Sequence, residues 1–178
     1  ATENNNYTVD GVTYDRTVKT VKVNVTDKGD GTLTITYDGN TEFTTPVFRN
    51  DYDAKGEITL GGEKTFINGD LSNESFSFSI YRKGDESKPI RSATTDKDGK
   101  FTFDALEYTL SELDLTDKTE DGHATGTFEY VVVEDIPETA VKKTVGDETF
   151  YYDSEKDIKY DATVYPVTIT VTDKGDGT

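Results

Sequence analysis

The heptapeptide Thr-Asp-Lys-Gly-Asp-Gly-Thr occurs twice, at Thr26 to Thr32 and at Thr172 to Thr178, an offset of 172 − 26 = 146 residues. The match extends backwards from each copy: Tyr14-Asp15-Arg16-Thr17-Val18 faces Tyr160-Asp161-Ala162-Thr163-Val164, and Val21 to Val25 faces Val167 to Val171. Solenoid units are roughly 20 to 45 residues long, so a period of this length is a whole domain. The chain therefore reads as about one unit of a tandem array plus part of a second copy. Divergence outside the heptapeptide argues against simple duplication. The first copy continues through Leu33 to Tyr52, whereas the second stops where that continuation would begin. The closing strands are expected at the wrong end of the chain.

Strand signals dominate. Val18 to Val25, Leu33 to Tyr37, Ser75 to Tyr81, Lys100 to Phe103, Thr127 to Glu134 and Thr163 to Val171 combine alternation with β-branched or aromatic residues. Between them lie turn sequences such as KGDGT, YDGN, KGDE and DKDGK, whose Gly and Asp supply the positive φ of tight hairpins. Only Glu107 to Leu115 holds the pattern of a short helical turn. The expected class is all-β, an antiparallel sandwich with one face of each sheet buried. Asn4 to Asn6 reads as a flexible lead-in, and residues Asp51 to Gly56 carry the best boundary signal. Residues 1–50 are expected to be the C-terminal strands of a preceding repeat, and 51–178 a sandwich repeat lacking its own last strand.

The 178 residues carry a net charge of −17, which makes nucleic acid and anionic membranes poor partners, since phosphate binding needs clustered cations. Cys, Met and Trp are absent, and so is Gln. Disulfides, thiolate metal sites and thioesters are thereby excluded, which narrows any internal cross-link to the Lys–Asn or Lys–Asp type. No secretory signal, hydrophobic span or sorting tail is visible, and the sequence is expected to be a mature or excised fragment. No membrane insertion is expected.

Strand parity gives the sharpest chemical signal. Lys64 falls on the same parity as Ile58, Leu60 and Phe66; Glu134 on that of Phe128, Tyr130 and Val132; Asn50 on that of Phe48 and Tyr52. Three strands thus each place one polar residue on an apolar face. A lysine amine kept neutral by desolvation can attack the side-chain amide carbon of an asparagine, while a neighbouring carboxyl group polarises the amide and shuttles protons. Ammonia leaves, and an isopeptide bond remains. The blander reading has Lys64 reaching past its neighbours to water, Glu134 at a strand end and Asn50 in an Asx turn.

The segments Leu60 to Ile80 (LGGEKTFINGDLSNESFSFSI), Phe128 to Asp135 (FEYVVVED) and Tyr160 to Thr178, with Val47 to Tyr52 (VFRNDY) in the first copy, resemble the isopeptide-linked pilin repeat domains of Gram-positive surface proteins, similar in layout to the wider Cna-B-like group. The resemblance implies an Ig-like sandwich whose first strand carries the linking lysine, matching Lys64, and whose last carries the linking asparagine, matching Asn50. Glu134 matches the catalytic glutamate. It further implies a structural stalk or shaft domain of a pilus or adhesin, attached at the cell surface or wall of a Gram-positive bacterium, performing one autocatalytic turnover rather than an enzyme cycle.

One departure from that pattern is order, because here the asparagine strand precedes the lysine strand, and 50 + 146 lies beyond residue 178. Returning from Asn50 to Lys64 in parallel register would use only the 13 residues from Asp51 to Glu63, about the minimum for such a crossover. Insertion into a neighbouring molecule needs no such return, and head-to-tail repetition gives an open filament. The expected partners are therefore adjacent repeats or copies of the chain itself. The rival class is a ligand-binding adhesin module holding a host protein or glycan.

Other patterns carry less. Asp96 to Gly99 and Asp173 to Gly177 faintly resemble calcium loops but lack the full ligand pattern, and they read as hairpin turns. His123 is the single histidine and reads as a loop residue. No cofactor and no metal is expected.

Overall fold

The computed structural model describes residues 7–178, so Asn4 to Asn6 lie outside the described residues. The chain divides into two compact units, one made of residues up to Ala54 together with Gly175–Thr178, the other of Lys55–Lys174. The fold class is all-β, and every strand pairing among the described residues is antiparallel.

In the first unit, β1 (Tyr7–Val9) and β2 (Val12–Tyr14) form a hairpin, and β5 (Asp51–Tyr52) pairs with the other edge of β2. A second hairpin joins β3 (Val23–Asp27) to β4 (Leu33–Tyr37). The repeated heptapeptide closes it. Asp27 Oδ1 accepts the Gly29 N–H at 2.8 Å, and Asp30 Oδ1 accepts the N–H and hydroxyl of Thr32 at 2.9 and 2.5 Å. Gly29 and Gly31 take φ of +76° and +82°, which a side chain would resist. The second copy repeats this locally: Asp176 Oδ1 accepts the N–H and hydroxyl of Thr178 at 3.0 and 2.6 Å. Of the strand expected over Val18 to Val25, only Val23 onward forms, because the turn after Tyr37 ends the partner strand and Asp38 takes up both the N–H and the carbonyl of Lys22.

The second unit comprises β6 (Lys55–Ile58), β7 (Gly61–Glu63), β8 (Ser77–Arg82), β9 (Arg91–Thr94), β10 (Lys100–Thr102), β11 (Leu106–Thr109), β12 (Asp114–Lys118), β13 (Ala124–Glu134), β14 (Val141–Val145), β15 (Glu148–Asp153), β16 (Ile158–Tyr160) and β17 (Tyr165–Thr172). The expected helical turn is a single 3₁₀ turn, Leu110–Glu112, whose Glu112 carboxylate accepts the Thr109 N–H at 2.8 Å.

The long strand β13 is the axis of the main sheet. It pairs with β8 and β17, and β9 extends the sheet beyond β8. Opposite lie the ribbons β6–β11 and β7–β10. Aromatic side chains join the two layers: Phe78 of β8 stacks on Phe101 of β10 at 3.9 Å, and Tyr108 of β11 meets Phe128 of β13 at 4.7 Å. The Tyr108 and Tyr130 hydroxyls, both buried, satisfy each other at 2.9 Å. A β14–β15–β16 meander completes the unit, bringing buried Ile158 and Tyr160 onto the same core.

Candidate functional site: a buried lysine–glutamate pair

Burial along β13 alternates from Ala124 to Tyr130 and is lost over Val131 to Val133, where both faces are at least half-covered. Phe128, Tyr130 and Glu134 are all buried on the core side, so the last residue of the strand carries a carboxylate inward. For Lys64 the parity holds only in part. The expected run breaks between β6 and β7, leaving Ile58 39% exposed, while Leu60 and Phe66 pack on the core around Lys64. Two backbone contacts fix the lysine. Its N–H donates to the Gly99 carbonyl at 2.8 Å, and Gly99 sits so close that an added Cβ would lie 2.4 Å from the Lys64 carbonyl oxygen. Gly62 matters similarly, since a Cβ there would lie 2.6 Å from the Phe101 ring.

The two side chains meet. Lys64 Nζ donates to Glu134 Oε2 at 2.7 Å, with 12% and 3% of the respective side chains exposed. The ammonium also lies 4.8 Å from the centroid of the Phe76 ring, whose face attracts a cation. Glu134 Oε2 accepts a second bond, from the Asp161 N–H at 2.9 Å. Its other oxygen, Oε1, is buried with no hydrogen-bond partner among the described residues. Native structures keep few such atoms, since an unpaired buried acceptor forfeits its hydration.

This pair lines a cleft of about 560 Å³, together with the Gly61 to Thr65 segment, Asp161, Tyr165 and the buried Phe78 and Phe101. Asp161 belongs to the repeated Tyr-Asp-x-Thr motif. Its Oδ1 accepts the Thr163 N–H at 2.9 Å, and its Oδ2 accepts the Tyr165 hydroxyl at 2.7 Å. Burial opposes ionisation here, yet those bonds and the Lys64 charge together hold the carboxyl below its ordinary pKa. The same contact raises the pKa of Tyr165.

Asn50 belongs to the other unit, directly before β5, and is exposed. Its Oδ1 accepts the Asp15 N–H at 3.0 Å. The apolar face expected around it is open: Phe48 is 59% exposed and has the Lys19 ammonium 5.6 Å above its ring. Parity alone did not single out Asp161; the signal that could have found it is that Tyr14-Asp15 and Tyr160-Asp161 recur at the fixed offset. The Asp96 to Gly99 loop is a turn in which Asp96 Oδ1 accepts the N–H groups of Asp98 and Lys100, each at 2.9 Å.

A family model described as the Spy0128-like isopeptide containing domain matches residues 1–53 and 60–178. No curated protein and no solved structure matches the chain.

Proposed function

The chain belongs to the family of Spy0128-like isopeptide containing domains, a Gram-positive pilin type, and on that premise we propose that it is a structural segment of a surface pilus shaft, locked by a bond between Lys64 and an asparagine. The observation that carries the chemistry is the buried Lys64–Glu134 pair, with Glu134 Oε1 left to meet a further group in an open cleft.

The reaction balances as a condensation. At 2.7 Å the Lys64 ammonium can pass a proton to Glu134, leaving a free amine and a carboxylic acid. The amine attacks the asparagine Cγ while the acid hydrogen-bonds the amide oxygen and stabilises the charge that develops there. That attack forms the C–N bond to Lys64; Glu134 then relays a proton from the attacking nitrogen to the amide nitrogen, and collapse re-forms the carbonyl and expels that nitrogen as ammonia. Holding amine and amide together makes the step intramolecular, with effective molarities of roughly 10⁵ to 10⁸ M available to aligned groups. Nothing is regenerated for a second turn, so the protein is a substrate of its own chemistry.

The donor is an asparagine strand of the Val47 to Tyr52 type, supplied by an adjacent repeat or by a second copy of the chain. The counterpart strands β17 and β3 support this. Ile169 of β17 is buried and Val171 packs on the core, whereas their counterparts on β3, Val23 and Val25, are 51% and 57% exposed. The first unit presents an apolar sheet face of the kind that covers a core in the second. Denaturing gel electrophoresis tests the exchange between molecules: a ladder of covalent multimers is expected, and a monomer-sized band alone contradicts it.

A further inference from the structure

We propose that Asp161 is a positioning residue for this reaction: its main-chain N–H fixes Glu134, and its carboxylate receives the main chain of the incoming strand one residue before the asparagine. The inference rests on reading the cleft as the seat of such a strand. It comes from comparing the two copies of one motif.

In both copies the aspartate is braced by the threonine two residues on. Asp15 Oδ1 accepts the N–H and hydroxyl of Thr17 at 2.9 and 2.5 Å, and Asp161 Oδ1 accepts the Thr163 N–H at 2.9 Å. That bracing leaves Oδ2 and the main-chain N–H to face outward. In the first unit an asparagine strand lies there: Asp15 Oδ2 accepts the Arg49 N–H at 3.3 Å, and the Asp15 N–H donates to Asn50 Oδ1 at 3.0 Å. One aspartate thus holds two consecutive residues of the strand, one of them the asparagine itself.

In the second unit the N–H meets the reactive pair, while Oδ2 lies beside it on the wall of the same cleft. The Asp161 N–H donates to Glu134 Oε2, Oδ2 accepts the Tyr165 hydroxyl, and both Asp161 and Lys64 line the cleft. Transferring the Asp15 arrangement at the 146-residue offset brings the strand's main-chain N–H onto Asp161 Oδ2, with Tyr165 sharing or yielding that oxygen. The amide of the next residue is then delivered beside the Glu134 carboxylate, whose Oε1 has no partner among the described residues. Asp161 touches neither Cγ nor Nζ in this scheme. It sets the register at which they meet.

The test uses the full chain carrying Asn50→Ala, so that only an added peptide spanning residues 44–54 supplies the asparagine. Two peptides are compared, the natural one and one N-methylated at the Arg49 amide, which removes the donor that Asp161 is proposed to receive. Binding is read by fluorescence anisotropy and bond formation by denaturing mass spectrometry. N-methylation should weaken binding about tenfold, the scale of one hydrogen bond to a charged acceptor. Asp161→Ala should weaken binding of the natural peptide similarly and make the chain indifferent to methylation. A methylation penalty equal in both backgrounds overturns the proposal, as does a natural peptide that does not bind at all. If Asp161→Ala does not fold, the absence of a methylation penalty on the Asn50→Ala chain alone overturns it. Binding with the coupling but without loss of ammonia upholds Asp161 as the strand's receptor and refutes the cross-linking reading instead.

Discussion

At the scale of single residues, the decisive group is Glu134, because it is buried, paired on one oxygen and unpaired on the other. Removing one partner of such a pair strands a charge in the interior, at a cost of about 3 to 5 kcal/mol. Glu134→Ala and Lys64→Ala should each lower unfolding free energy by about that amount, while Lys64→Met combined with Glu134→Leu should cost less than either alone. Denaturant titration checks this, and additive losses would contradict the pairing. A second residue-scale expectation concerns Asp15, whose carboxyl is held at about 2, chiefly by the Thr17 hydroxyl and N–H. A depressed folded-state pKa adds stability above the ordinary carboxylate value, and that share is lost as pH falls towards the folded value. Melting temperature should therefore drop between about pH 4.5 and pH 2.5, and less so in Asp15→Asn. Of these residues, the buried placement of Glu134 was legible because β13 runs without a register shift through its pairings with β17 and β8, which carries the inward parity of Phe128 and Tyr130 on to its last residue. Asp161 was not, since strand parity does not mark it and its bond to Glu134 is made by a main-chain N–H; only the recurrence of Tyr-Asp at the fixed offset points to it.

Among the elements, the turns place the chemistry. Gly99 adopts a φ of +80° and packs against the Lys64 carbonyl, so Gly99→Ala combines backbone strain with a collision at the lysine. It should cost more than about 1 kcal/mol and slow bond formation beyond what the stability loss explains; melting and a mass-resolved time course measure the two separately. Sequence patterns reveal these elements unevenly. Leu33 to Tyr37 is a strand as expected, since alternation and turn chemistry agree there. The β14–β15 hairpin was missed although Gly146-Asp147 forms its turn, because Val141 to Val145 carries two lysines and reads as polar. The face around Asn50 is the reverse case. Phe48 and Tyr52 promise a buried face, yet β5 is two residues long and edge-paired with β2.

On the scale of the whole molecule, a motif of the first unit recurs in the second at an offset of 146 residues. The first carries an asparagine strand on an aspartate; the second carries a lysine and glutamate beside the equivalent aspartate. The proposed covalent tie would resist pulling, because separation would then require breaking a bond, and stability would be kinetic rather than a matter of equilibrium. In a chain without cysteine, that is a means of cross-linking which no oxidant governs. The central claim is tested most directly by intact mass under denaturing conditions. Each bond releases one ammonia, so every cross-linked species should weigh about 17 Da less per bond than the sum of its chains. An unchanged mass, with Lys64 and Asn50 both recovered as free residues after digestion, would contradict the account.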